Sequence, residues 1–119
     1  MRKITTHHDG HGLNESIKIE AGEPGPGGSP HSYVFGIGGN NVGYLQFQLG
    51  PRNVEGSIPG LTTAAVMAAL IDHLEGFQSG EFKNRETALA ITHLQEAKHW
   101  IEHRANERAR RGVLGTTAK

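Results

Sequence analysis

The sequence predicts an α+β fold: a small amino-terminal antiparallel β-sheet followed by a carboxyl-terminal αα-hairpin whose second helix is long. Three observations carry this expectation. Thirteen of the 17 glycines fall in residues 1–60, which divides the chain near Pro59-Gly60 into a turn-rich half and a helix-rich half. Short β-branched and aromatic runs occupy the first half, and apolar residues at helical spacing occupy the second. The length of 119 residues suits a single domain, read as a β-rich lobe over 1–60, a helical hairpin over 61–112 and a tail over 113–119.

Strands are expected at Ser16 to Glu20, Ser32 to Ile37, Gly43 to Leu49 and Asn53 to Ile58. Within the third, Leu45, Phe47 and Leu49 alternate with Gln46 and Gln48, the period of a strand with one buried and one wet face. Gly38-Gly39-Asn40-Asn41 reads as a four-residue hairpin connection, because Gly and Asn accept positive φ. The segment Glu23 to Pro30 has almost nothing to bury and reads as a loop or lid. The cluster of His7, His8 and His11 with Asp9 reads as a tail or loop.

A first helix is expected from an N-cap threonine at Leu61-Thr62-Thr63 through Val66, Met67, Leu70, Ile71 and Leu74 to Phe77, ended by Ser79-Gly80. A second opens at Asn84, with Thr87 three residues on, and runs through Ile91, Leu94, Ala97, Ile101 and Ala105 to Gly112.

Twelve Lys and Arg balance twelve Asp and Glu, so no global field favours duplex nucleic acid. The absence of cysteine rules out thiol catalysis and thiolate metal sites. The longest apolar run, Leu61 to Leu70, is too short for a membrane span, and no secretory leader is evident, so a soluble, unprocessed chain is expected. His99-Trp100-Ile101-Glu102-His103 matches the H-x-x-E-H order of one metalloprotease class, but only 16 residues follow to supply a third ligand. Neither Gly36 to Asn41 nor Pro24 to Pro30 has the residues of a dinucleotide or P-loop fingerprint. No metal and no cofactor is expected.

Charge is concentrated in one place. Arg104, Arg108, Arg110 and Arg111 fall within eight residues containing one acid, Glu107, so four positive charges less one leave +3. Arg104, Arg108 and Arg111 share a helical face and offer guanidinium forks to phosphate, although arginines near a helix end also complement its dipole. Phe77 is either a last core anchor or a platform for a base. Arg104 and Arg108 lie 17 and 21 residues beyond Thr87, or roughly 25–32 Å at 1.5 Å per residue. One chain cannot close these groups on one small ligand. An antiparallel dimer can, with Arg104 and Arg108 of one subunit over Phe77 of the other, giving two symmetric sites.

Gly12-Leu13-Asn14, Pro24 to Gly28, Leu74 to Gly80, Ala90 to Ala97, Arg110 to Val113 and Gly115-Thr116 together resemble the phage Thoeris anti-defence sponge proteins. These share their helical hairpin with the smaller anti-CBASS sponges, and the amino half distinguishes the two. The resemblance implies a non-enzymatic viral protein that sequesters the immune messenger glyco-cyclic ADP-ribose (gcADPR) in the cytoplasm of the infected bacterial host, and in some members cyclic di- or trinucleotides. It implies that Phe77 stacks on adenine, that Arg104 and Arg108 bind the pyrophosphate from the opposing subunit, and that Gly115 and Thr116, with Arg111, contact cyclic oligonucleotides. Relatives usually carry Asn at Thr87, an acidic residue at Leu114 and His at Thr117. The implied assembly is a homodimer at least, and a trimer of dimers in some relatives. Two other classes compete. One is a cyclic-nucleotide hydrolase or lyase using His93, His99 or His103 as acid and base; the other is an interaction module presenting the arginine helix to a macromolecule.

Overall fold

A computed structural model describes residues 1–50 and 55–114. The chain forms two compact units, the first made of Met1–Gly50 with Gly56–Gly60 and the second of the remainder. The class is α+β, with a four-stranded antiparallel sheet in the first unit and two helices, the second long, in the other.

The sheet runs β1 (Arg2–Ile4), β2 (Ile17–Ala21), β3 (Ser32–Ile37) and β4 (Asn40–Gln46), each strand paired with its neighbour in sequence. Directly opposed residues of an antiparallel ladder share a face. Ile4, Ile19, Phe35 and Gly43 therefore form one row, and Ala21, Tyr33 and Leu45 another on the same face. Ala21 is fully buried there, and Tyr33 meets Phe47 edge to face at 5.9 Å.

Two elements differ from expectation. The β3–β4 connection is a two-residue turn, Gly38-Gly39, because Asn40 already pairs with Ile37. Both positive φ angles of the turn, 57° and 84°, fall on glycine, leaving the asparagines free to extend. The ladder of β4 consequently starts at Asn40 and ends at Gln46 rather than spanning 43–49. Beyond it, Leu45, Phe47 and Leu49 are half-buried, but so are Gln46 and Gln48, so the two faces are not separated. The glutamines bond backbone instead: Gln46 Nε2 donates to the Phe47 carbonyl, and Gln48 Oε1 accepts from Gly60 N–H. Of the strand expected over Asn53 to Ile58, Asn53 and Val54 lie outside the described residues. Glu55-Gly56 is a turn, and Ile58 forms a single bridge to Leu49. β1, short and charged, carried no periodic signal.

The histidine-rich segment is an ordered loop. Glu15 accepts backbone N–H bonds from Asp9, Gly10 and Gly12, and Asp9 accepts from His11 N–H and from Asn14 Nδ2. These amides, that of Gly10 first and against some desolvation, hold the Glu15 carboxyl down to about 2. His7 Nε2 donates to the Ile17 carbonyl at 2.7 Å, tying the loop to β2. The segment before β3 is likewise closed, with Pro24 bridged to Pro30 and Gly25 N–H bonded to Ser29.

In the second unit α1 (Thr63–Gln78) is capped by Thr62, whose hydroxyl accepts from Ala65 N–H, and α2 (Arg85–Arg110) by Asn84, whose Oδ1 accepts from Thr87 N–H at 2.7 Å. Gln78 clasps the connection, accepting from Asn84 N–H and donating to its carbonyl, both at 2.9 Å. Gly112, at φ 77°, ends α2. Val113 N–H bonds the Arg108 carbonyl and Gly112 N–H bonds the Ala109 carbonyl, the paired bonds of a Schellman cap.

Candidate functional site

The hairpin has one buried residue, Ile71, at 8% exposure; none of the 26 residues of α2 is buried. Thr87, Ile91, Leu94, Lys98 and Ala105 are the half-buried stripe of α2 that fits the turn of the helix toward α1. One groove between the helices is lined by Ala68, Asp72 and Glu75 with Gln95 and Lys98, and a second by Glu75 and Gln78 with Ala88 and Ile91. These residues define one side of the hairpin, where Asp72, Glu75, Gln78, Gln95 and Lys98 stand among Ala68, Ile71, Ala88 and Ile91.

Phe77, Leu70 and Val66 lie roughly 100–140° around α1 from Ile71, in the sense opposite to Asp72. Arg104 and Arg108 lie roughly 60–100° around α2 from its facing stripe, in the sense opposite to Gln95. Because the helices are antiparallel, both sets project to the other side of the hairpin. That side is apolar and basic, with Leu70 and Phe77 each 46% exposed and Ile101 40% exposed.

The expected site residues divide into two groups. Phe77 occupies the last turn of α1 and Thr87 the first turn of α2, so the connection brings both to one end of the hairpin. Arg104 and Arg108 stand in the last two turns of α2, and the intervening helix keeps them from Phe77 within one chain. Arg104 makes no hydrogen bond or ion pair among the described residues. Arg108 is half-buried, with Nη2 donating to the Val113 carbonyl at 3.3 Å. Glu107 engages Arg110 at 2.6 Å and Arg111 at 3.7 Å, so the two outermost arginines are partly neutralised. Gly115 and Thr116, with Thr117, lie outside the described residues.

One contact at the site escaped sequence reasoning. His73, one turn before Phe77, meets its ring edge to face, with centroids 5.2 Å apart and planes at 86°. The i,i+4 spacing of the two rings was the available signal.

The remaining histidines form a different arrangement. His99 and His103 lie 6.3 Å apart by ring centroids, with Trp100 against both at 5.3 and 5.7 Å. His93, six residues before His99, falls about 120° away around the helix, so the three imidazoles do not converge. No group of three or more potential metal ligands occurs among the described residues. In the sheet unit, a cavity of about 290 Å³ has Ile4, Ile17 and Ile19 among its walls and Lys3, Lys18, Glu15 and Glu20 balancing in charge around it.

No helix among the described residues is long and apolar enough to cross a membrane. Comparison with known proteins matches residues 44–105, just over half of the chain, to the family described as Acb2/Tad1, hairpin domain. The chain is also similar to "Thoeris anti-defense 1" of Bacillus phage SBSphiJ7, at 38% identity over 108 residues covering 79% of this chain and 75% of the relative. The matched segment holds both helices up to Ala105, and with them Phe77, Thr87 and Arg104. By both measures the chain belongs to the phage Thoeris anti-defence family built on the Acb2/Tad1 hairpin.

Proposed function

We propose that the chain disarms a bacterial defence by sequestering its nucleotide messenger, binding it without consuming it. The messenger is gcADPR, and cyclic di- and trinucleotides of CBASS systems are further ligands. The observation that carries this reading is the two-sided hairpin, whose apolar side bears Phe77 near one end and Arg104 and Arg108 near the other. An aromatic face and paired guanidiniums are the chemistry of a base and a pyrophosphate. Arg104 and Arg108 stand roughly 25–32 Å along α2 from Thr87 at the Phe77 end, a distance closed by an antiparallel second copy, whose apolar side also covers the first. The functional unit is then a homodimer at least, with two composite sites, and a trimer of dimers is the larger form. Phe77 stacks on adenine, Arg104 and Arg108 of the partner grip the pyrophosphate, and Thr87 is a polar neighbour. Arg111 with Gly115 and Thr116 serves the cyclic oligonucleotides. The site of action is the cytoplasm of the infected host.

A sponge needs a dissociation constant near nanomolar, about 12 kcal/mol. Several charge-assisted bonds at about 1.5–3 kcal/mol each, a stacked base and enclosure reach that range. Purified protein is mixed with gcADPR, freed of unbound ligand and then heat-denatured. Release of intact gcADPR supports sequestration. A linear or otherwise altered product overturns it in favour of a hydrolase or lyase. A thermal-shift panel of gcADPR, cyclic ADP-ribose isomers and cyclic di- and trinucleotides ranks the ligands; a ligand at 1,000-fold its Kd adds about 4 kcal/mol to stability.

A further inference from the structure

An arginine carries its N–H donors on a long stem with many rotamers, so how well it grips an anion depends on what holds it beforehand. The arginines at the end of α2 are held in two ways. Arg110 and Arg111 both meet Glu107, an acid that partly cancels their charge. Arg108 is held by Val113, at two points. The Val113 N–H donates to the Arg108 main-chain carbonyl at 2.9 Å, and the Val113 carbonyl accepts from Arg108 Nη2 at 3.3 Å. One residue thus fastens both the backbone and the guanidinium of the same arginine, and a neutral carbonyl orients that guanidinium without cancelling its charge. Val113 reaches Arg108 because the chain reverses at Gly112, whose φ of 77° is left-handed. A Cβ built at Gly112 meets nothing within 4 Å, so the backbone conformation, not a lack of space, calls for glycine there.

We infer that Gly112 is a positioning residue for the messenger: its left-handed turn lays Val113 against Arg108, and this clamp presents the guanidinium already ordered to the pyrophosphate. This rests on the proposed messenger binding and concerns how the arginine is readied for it. A side chain ordered before the ligand arrives loses less freedom on binding, and the difference appears as affinity. Gly112→Ala strains the left-handed turn and releases the clamp. Its binding of gcADPR should weaken about three- to tenfold, the cost of ordering one rotamer-rich side chain at the moment of binding. Gly112→Asn tolerates the same φ, and its Cβ is unobstructed, so it should bind within about twofold of wild type.

Competition binding with gcADPR is measured for the full chain carrying each substitution, alone and combined with Arg108→Ala, while circular dichroism follows the helices and light scattering follows assembly. In the Arg108→Ala background, Gly112→Ala should cost nothing further, because the side chain it positions is gone. A loss of the same size in both backgrounds overturns the inference, as does wild-type affinity in Gly112→Ala or an equal weakening in Gly112→Asn. Loss of helix or of assembly in Gly112→Ala also overturns it, since the turn then holds the structure and not the side chain. Wild-type protein that binds no gcADPR is a different failure: the proposed function itself falls, and the inference with it.

Discussion

Gln78 and Asn84 both stabilise the turn between the helices, yet the atoms they use imply that their contributions add rather than couple. Gln78 makes its two bonds to the Asn84 backbone, whereas the Asn84 side chain bonds Thr87 N–H and the Phe82 carbonyl. Asn84→Ala removes the cap of α2 at about 1 kcal/mol but leaves the backbone that Gln78 grips. Gln78→Ala loses two neutral hydrogen bonds worth about 1 kcal/mol each, offset by a few tenths from the better helix propensity of alanine. The single variants should lose about 1 and about 1.5 kcal/mol, and the double variant about 2.5 kcal/mol. Urea unfolding of the four proteins at one protein concentration measures the cycle, with unchanged m-values as the condition for comparing them. A coupling energy above about 1 kcal/mol would show the two side chains acting as one unit and refute the separation drawn from these bonds.

Other perturbations have equally definite outcomes. Arg108→Ala should weaken gcADPR binding by about 10- to 150-fold, one charge-assisted contact. Light scattering should show the same assembly, because the Schellman bonds that close α2 are backbone bonds. Glu15, held at about 2 against an ordinary 4.5, contributes stability that is complete above pH 4.5 and lost as pH falls toward 2. Acid titration followed by circular dichroism should show that loss in wild type and a flatter profile in Glu15→Gln. Gly39→Ala places a Cβ at φ 84° and should cost about 1–2 kcal/mol, seen as a lower melting temperature. The same substitution at Gly27, whose φ is not positive and whose added Cβ meets nothing within 4 Å, should leave it nearly unchanged.

The helices were legible in the sequence because their signals are local and redundant. Thr62 and Asn84 cap where a side-chain oxygen meets an unpaired N–H, and Gly112 supplies the left-handed residue after α2. The sheet was read less well where one residue type serves two ends. Asn40 and Asn41 suit a turn and an edge strand alike, and two adjacent glycines already met the demand for positive φ, so the asparagines joined the ladder. Arg2–Ile4 is too short for a period of two to register. For the site, charge spacing identified the arginine face. The sharing of one hairpin side by Phe77 and those arginines needed the antiparallel packing, which fixes the sense in which each helix turns. The burial of Arg108 against the Val113 carbonyl depended on a cap that reverses the chain.

The uninterrupted run of α2 acts as a ruler. Between Thr87 and Arg104 the helix contains no glycine or proline at which a length change could be absorbed. One inserted residue would swing every downstream arginine by about 100° and off the apolar side. Seven would restore the azimuth to within about 20° but push the arginines about 10 Å farther along the axis. In the proposed antiparallel dimer the length of α2 sets which groups face one another, so insertions and deletions in this lineage should collect in the loops of the sheet unit and spare α2.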